Sequence, residues 1–237
     1  NKDVYMKNKK IYYDGWELKL FDNSNNYRNY QFDLIKNKIN GHLAEVGPGN
    51  GKNIFWYFNK CKQIDLFEPS VNLFNTLKKK FSNNKKINLK NKEFLGKSNN
   101  YDCILYMDVI EHIKNDKKEI KKAYKALKKN GRLIINVPAF QHLYSKFDED
   151  VGHFKRYNKN QILSLCKSLK INNIDMKYYD SIGYFLSFLS KLVVSDYKKN
   201  FRKKIEFWNS LIFLSRIVDF FTMNFFGKSL IVIITKK

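Results

Sequence analysis

Two carboxylates and three glycines carry the clearest chemistry in this sequence. They fall as Glu45-x-Gly47-x-Gly49-x-Gly51, and Glu68 follows Glu45 by 23 residues. Glycine at alternate positions lets a backbone turn tightly and approach a ligand closely. The dinucleotide fingerprint G-x-G-x-x-G would need a glycine at position 52, and Lys52 stands there. Pyrophosphate is held by backbone amides at a helix N-terminus, and a carboxylate beside that turn repels it while attracting an ammonium. Glu45 therefore points to a ligand with a cationic amino-acid part. An acid at the position of Glu68 can accept both hydroxyls of a ribose. Alone, the first motif is an ordinary tight turn and the second a solvated side chain. Together they imply an adenosine-type ligand.

Such residues need a scaffold that brings them to one edge, and the flanking pattern supplies it. Short apolar runs alternate with helical patterns, which is the signature of an α/β domain with a parallel sheet. Strands are predicted over residues 42–46, 63–68, 87–89, 101–108, 132–137, 174–179 and 229–235. Helices are predicted over 52–60, from a Ser70 cap through 81, over 117–128, and from an Asn158/Gln161 capping box to about 169. Residues 181–227 read as further helices, giving seven strands and about six helices in one layered α/β domain. The expected organisation is a helical extension at 1–40, a ligand-binding core at 41–180, an apolar helical insertion or lid at 181–227, and a final core strand at 228–237.

Composition sets the outer bounds. At 43% hydrophobic and 16% aromatic, 237 residues can bury a sizeable core, so intrinsic disorder is excluded. The net charge of +23 invites a nucleic-acid reading. Against it, only Arg28, Arg132, Arg156, Arg202 and Arg216 are arginines, the residue whose planar fork suits phosphate best. Val109-Ile110 also follows Asp108 where a base-flipping enzyme of the N-P-P-Y type would carry prolines. A solvated Lys/Asn surface is the expected reading of the charge. Cys61, Cys103 and Cys166 are too scattered for a disulfide framework or a zinc site, so a cytoplasmic protein is expected. Asn1 to Val4 carry no signal-peptide core, and no uncharged apolar run reaches the ~18 residues of a membrane span. Between Ile205 and Gly227 only Glu206, Arg216 and Asp219 are charged, and the cations Lys198, Lys199, Arg202, Lys203 and Lys204 lie just ahead. Segment 181–227 is thus a lid over the site, a subunit contact or, through 198–227, a peripheral contact with an anionic membrane.

In its motifs the chain resembles the class I S-adenosylmethionine-dependent methyltransferases. Leu43 through Gly51 matches the first motif of that family, and Asp65-Leu66-Phe67-Glu68-Pro69-Ser70 matches the ribose-binding strand end. Asp108-Val109-Ile110-Glu111-His112-Ile113 is similar to the D-V-L-E-H-I motif. Leu127 through Ile135 resembles the L-K-P-G-G-x-L turn, with Lys129 and Asn130 where Pro and Gly are common. Asn26 to Tyr30, Val137-Pro138-Ala139 and Asp148 to Tyr157 further resemble a bacterial subgroup found near polysaccharide and glycosyltransferase functions, with Lys155 replacing an Arg of D-E-x-x-G-H-x-R-R-Y.

The resemblance implies a Rossmann-like α/β fold, a seven-stranded sheet with helices on both faces that ends in an antiparallel hairpin, with S-adenosylmethionine as cofactor and S-adenosylhomocysteine as product. It implies methyl transfer to an oxygen or nitrogen of a small-molecule, saccharide or lipid-linked acceptor, and no metal. A nucleic-acid-associated enzyme or a non-catalytic cofactor-binding scaffold is the alternative. Cofactor contacts are expected from Glu45, Gly47, Gly49, Gly51, Glu68, Pro69, Asp108, Val109, His112, Tyr27 and Arg28, and substrate contacts from His142, Tyr144, Arg156 and Tyr157. Displacement at a sulfonium needs a proton acceptor only when the attacking atom is a hydroxyl or an ammonium. His153 with Asp148 is the expected catalytic pair, ahead of His112, His142 and Glu149. Each has a structural alternative. His153 could order its loop through Asp148, Arg156 could pair with Asp148 or Glu149, Tyr157 could pack on the next helix, and Tyr27 and Arg28 could anchor the N-terminal helix.

Overall fold

A computed structural model describes residues 4–7, 10–97, 99–192 and 198–237. Its chain starts with a hairpin, β1 (Val4–Lys7) and β2 (Lys10–Tyr13), followed by α1 (Trp16–Phe21) and α2 (Asn25–Ile35). The helical extension expected at 1–40 therefore holds two helices and, as a correction, a hairpin ahead of them. β2 is occupied at the sheet's edge: Ile11 bridges Ser70, and the Tyr13 amide donates to Ser70 Oγ at 3.2 Å.

The main sheet contains β3 (Gly41–Val46), β4 (Cys61–Phe67), β5 (Ile87–Lys90), β6 (Tyr101–Met107), β7 (Leu127–Pro138), β8 (Ile174–Tyr179) and β9 (Ser229–Thr235). Their order is β5-β4-β3-β6-β7-β9-β8, with β3 to β7 parallel and β9 antiparallel to both neighbours. This is the seven-stranded architecture with a terminal antiparallel hairpin that the sequence predicts. Both faces are covered, so successive residues of one strand enter different cores: Ala44, Ile104 and Leu133 pack on one side, Leu43, Leu105 and Ile134 on the other.

The connecting helices are α3 (Ile54–Tyr57), α4 (Val71–Phe81), α5 (Asp116–Ala126), α6 (Lys146–Asp150) and α7 (Lys159–Ser168). The helix predicted over 52–60 shortens to α3 and a 3-10 turn, Phe58–Lys60. The one predicted to 128 ends at Ala126, because Leu127 leaves it to pair with Tyr101 at the start of β7. The Asn158/Gln161 capping box of α7 forms as expected, with bonds of 2.9 Å in both directions. Ser70 does precede α4, but its hydroxyl bonds Asn72 and Tyr13 instead of capping.

Segment 181–227 forms α8 (Ser181–Leu192), α9 (Phe201–Ser210) and α10 (Ile212–Phe221), while its residues 193–197 lie outside the described residues. Two buried aspartates fasten these helices to the sheet. Asp219 accepts from Tyr30 Oη at 2.7 Å and from the amides of Asp180 and Ser181 at 2.7 and 3.0 Å. Asp180 accepts from Trp208 Nε1, Ser215 Oγ and the Gly183 amide at 2.8–2.9 Å. α10 is consequently turned around: Ser215 and Asp219 are buried while Phe213, Ile217, Phe220 and Phe221 face solvent.

Candidate active site

The loops after β3, β4, β6 and β7 open at the carboxyl edge of the sheet, the edge where ligands bind in open α/β folds. They line a cleft of about 540 Å³. At one end the glycine loop turns in the left-handed region. Gly47 has φ +67°, and a Cβ there would lie 2.8 Å from Val109 Cγ2. Gly49, at φ +58°, donates its amide to Glu68 Oε2 at 3.1 Å, and the Ser70 amide donates to Oε1 at 2.9 Å. Burial nevertheless pushes the Glu68 carboxyl up to about 7 against those two bonds, with the charge of Glu45 adding to the rise. Pro69, Asp108 and Val109 share this end, and Asp108 itself adopts φ +59° while accepting from Asn136 Nδ2 at 2.5 Å.

Two expected ligand contacts lie behind the wall instead of on it. Gly51, at φ +78°, makes room for α4, since a Cβ would meet Leu77 Cδ2 at 2.7 Å and Phe81 Cε2 at 2.8 Å. Glu45 is buried and accepts from Tyr57 Oη and from Asn53 Nδ2 at 3.2 Å. Its carboxylate braces the loop, and burial raises its proton affinity in spite of both bonds.

At the other end stands a chain of charged contacts. Asp148, fully buried, receives Arg156 in bidentate fashion, Nε to Oδ1 and Nη2 to Oδ2, both at 2.9 Å. It also receives His153 Nδ1 at 2.8 Å and the Ser145 amide at 2.9 Å. Burial works against its charge, yet the hydrogen bond from His153 and the Arg156 guanidinium hold the carboxyl well below the usual range. With Nδ1 fixed, His153 turns Nε2 toward Glu111, 3.9 Å from Oε1. Glu111 is 1% exposed, and neither of its oxygens has a hydrogen-bond partner. Burial, and then the charge of Asp108, push its carboxyl far up. His112 meets the His153 ring edge-on at 4.7 Å, and burial, helped by His153, lowers it to about 3, so it is neutral at pH 7.

His153, His112 and Arg156 thus face the cleft, and Asp148 lies beneath them as a positioning group. The other expected substrate residues lie outside it. His142 bonds Tyr184 Oη at 3.0 Å on an exposed flank. Tyr144 donates to the His153 carbonyl at 2.7 Å, and Tyr157 donates to Asp116 at 2.9 Å from a buried position. Glu149 pairs with Lys146 on the surface.

The roof comes from both ends of the chain. Tyr27 bonds Tyr179 Oη at 2.8 Å and Ser229 Oγ at 3.1 Å, and Arg28 reaches Gln31 at 2.8 Å and Asp108 at 3.3 Å. Both line the cleft while anchoring α2. Trp208 packs 4.7 Å from Tyr27, with Lys228 Nζ 4.0 Å from the indole centre. Burial lowers the pKa of Lys228, and Asp180 opposes that. Sequence reasoning passed over Glu111, Trp208 and Lys228. Glu111 carried a signal, being an acid in a loop after a parallel strand; the other two reach the cleft only by tertiary packing.

Residues 23–173 match the family model described as a methyltransferase domain. The chain belongs to this methyltransferase family. Its fold is similar to a methyltransferase from Archaeoglobus fulgidus (TM-score 0.60, 13% identity, covering 93% of this chain and 100% of that one). It is likewise similar to a possible histamine N-methyltransferase from Thermotoga maritima (TM-score 0.62, 16% identity, 93% and 94% covered). A third similar structure is phosphoethanolamine N-methyltransferase 2 of Haemonchus contortus in complex with S-adenosyl-L-methionine (TM-score 0.59, 14% identity). There the chain is 88% covered and spans about half, 52%, of the other protein. No curated protein matches the chain in sequence. The methyl donor of the family is S-adenosylmethionine, and the donor end of this methyltransferase fits it. Gly47 and Gly49 put bare backbone on the cleft wall, Gly47 fitting under Val109 where no side chain could stand, and the Glu68 carboxylate lines the same wall.

Proposed function

We propose that this methyltransferase methylates an oxygen or nitrogen atom of a small-molecule acceptor, saccharide- and lipid-linked molecules included, at the wall formed by His153, His112 and Glu111. One observation carries the reading: the buried Asp148–Arg156 pair fixes His153 Nδ1 and leaves Nε2 directed into the cleft. S-adenosylmethionine, when bound, supplies a methyl group on a cationic sulfur. This chain's residues bind, orient and exclude water. The glycine loop and Glu68 would hold the adenosine, with Pro69, Asp108 and Val109 beside it, and Glu45 would act through the loop it braces. Tyr27, Arg28 and Trp208 close the cleft. A hydroxyl or ammonium acceptor gives up its proton on the His153 side, where general-base help is worth ~10²–10⁴-fold.

The names of the neighbours make phosphoethanolamine and histamine sensible first acceptors. The Asp148–Tyr157 pattern adds saccharide- and lipid-linked ones. The test has two stages. S-adenosylhomocysteine should raise the melting temperature, because a ligand that binds only the native state stabilises it by mass action; no shift at millimolar ligand would remove the donor site. Release of S-adenosylhomocysteine from S-adenosylmethionine is then measured across amines, saccharides and lipid-linked sugars, and an acceptor-independent zero would favour a non-catalytic scaffold.

A peripheral membrane contact through 198–227 is favoured by one further observation. Phe220, Phe221, Met223 and Phe225 are 77–87% exposed, and Arg202, Lys203 and Lys204 of the preceding α9 are exposed as well, while Lys198, ahead of that helix, pairs with Asp150 at 3.2 Å. No described helix is long and apolar enough to cross a membrane. Aromatic side chains flanked by cations suit an anionic surface. Vesicle co-sedimentation decides it: salt-sensitive binding to anionic liposomes, lost in Lys203→Glu/Lys204→Glu, is expected, and no binding at low salt would exclude it.

A further inference from the structure

Methyl transfer as described gives the unpartnered carboxylate of Glu111 no chemical task. A buried carboxylate without a hydrogen bond is costly, and such groups are ordinarily paired or bound to a cation. Both Glu111 oxygens lack a partner at 1% exposure, and the side chain lines the cleft. Around it, one ligand atom each from Glu111, His112 and His153 lies within 4.8 Å of the others.

The nitrogens are set up to match. His153 Nδ1 is held by Asp148 at 2.8 Å, so its Nε2 carries the free lone pair. His112 stands edge-on to the His153 ring at 4.7 Å and lines the same wall of the cleft. The backbone fixes the register between the two loops, since the Phe154 amide donates to the Glu111 carbonyl at 2.8 Å. A carboxylate that orients a histidine from behind, while the far nitrogen faces an open site, is the usual support of a metal-ligating imidazole. Two imidazoles and one carboxylate, on one side of a cleft, form a donor set suited to Zn²⁺, Mn²⁺, Fe²⁺ or Co²⁺, with coordination positions left open.

We propose that Glu111, His112 and His153 bind one divalent metal ion at the acceptor end of the cleft. Metal–ligand bonds of ~2.0–2.2 Å place neighbouring ligand atoms closer together than here, so binding draws the three side chains inward. The open positions of the ion face the cleft and would hold an oxygen of the acceptor, lowering the proton affinity of a bound hydroxyl; with His153 Nε2 on the ion, this activation would take the place of general-base help from His153. This role rests on the methyltransferase reading above; the metal site itself does not. It also departs from the metal-free chemistry that the family resemblance implies. The competing occupant is an ammonium group of an acceptor, which could donate hydrogen bonds to the same three atoms.

The experiment titrates Co²⁺ into the chelator-treated protein and follows its visible absorption, with S-adenosylhomocysteine binding measured separately on every sample. One equivalent should bind at micromolar concentration. Glu111→Gln and His153→Gln should each weaken it at least ten-fold, and Asp148→Asn by ~10–100-fold through loss of the orienting bond. All three should keep their melting-temperature response to S-adenosylhomocysteine, which shows the fold and donor site intact. No binding of Co²⁺ by the wild type at 1 mM would overturn the proposal. So would binding that Glu111→Gln leaves unchanged, or ethanolamine binding that depends on Glu111 where Co²⁺ binding does not. Loss of S-adenosylhomocysteine binding in the wild type would instead overturn the donor site and leave the Co²⁺ titration to stand by itself.

Discussion

The two ends of the cleft are built by different means. The donor end is mostly backbone: Gly47 and Gly49 turn through positive φ, and one carboxylate, Glu68, is held by two amides. The acceptor end and its roof are mostly side chains: Asp148 gathers Arg156, His153 and Ser145, while Asp180 and Asp219 gather α8, α9 and α10. Backbone-built sites tolerate changes of neighbouring side chains and fail when a glycine gains a Cβ. Side-chain networks behave in the opposite way, because each buried partner left behind must forgo its hydrogen bond.

The largest contrast is expected in turnover. His153→Ala should reduce methyl transfer by ~10²–10⁴-fold while S-adenosylhomocysteine binds as before, since the residue belongs only to the acceptor end. Steady-state rates beside calorimetric affinities check this, and a matching fall in both would merge the two ends into one unit. In stability the roof should prove more sensitive than the loop. Asp219→Ala strands a tyrosine hydroxyl and two amides in a buried position, and should cost ~3–5 kcal/mol in chemical denaturation. Gly51→Ala, which presses on Leu77 and Phe81, should cost ~1–3 kcal/mol. The reverse order would mean that the helical cover is not held by Asp219.

That division also explains what could be read from sequence. The glycine spacing, Glu68 and the order of apolar runs are local signals, and the sheet they predict is the sheet observed. The roles of Glu45 and Gly51 escaped because both motif residues face neighbouring helices and not the cleft: whether a loop residue faces a cleft or a neighbouring helix depends on α3 and α4, which spacing does not encode. His142, Tyr144 and Tyr157 lie near His153 along the chain, yet the turn at Phe140 (φ +61°) and the bridge between Ala139 and Tyr157 direct them outward or downward. α10 misleads by composition. Its apolar residues call for a cover on most of the helix, but Asp219 and Ser215 share the inner face with Ile212, because the sheet end offers backbone donors there.

Glu68 gives the next comparison within the donor end. Glu68→Ala removes the proposed acceptor of the ribose hydroxyls and leaves the Gly49 and Ser70 amides without their acceptor, so S-adenosylhomocysteine should bind more weakly by ~1.5–3 kcal/mol, and the free protein should still fold, with a lowered melting temperature. Unaltered affinity would place the ribose elsewhere in the cleft.

The smallest effect is a pH dependence that the two ends should not share. Burial raises Glu68 from 4.5 to about 7 in the folded, ligand-free protein. Between those values the native state binds a proton that the unfolded state has released, so the contribution of Glu68 to stability falls as pH rises from ~4.5 to ~7. Ligand binding should run the other way. Ribose hydroxyls donate to the ionised carboxylate, so S-adenosylhomocysteine must drive off the proton below pH 7, and its affinity should rise roughly ten-fold from pH 6 to pH 8. Calorimetry in two buffers of different ionisation enthalpy should show close to one proton released at pH 6 and almost none at pH 8. In Glu68→Gln, which cannot ionise, both the release and the affinity slope should disappear. If proton release persists in Glu68→Gln, another group titrates with the ligand and the donor end does not depend on this carboxylate.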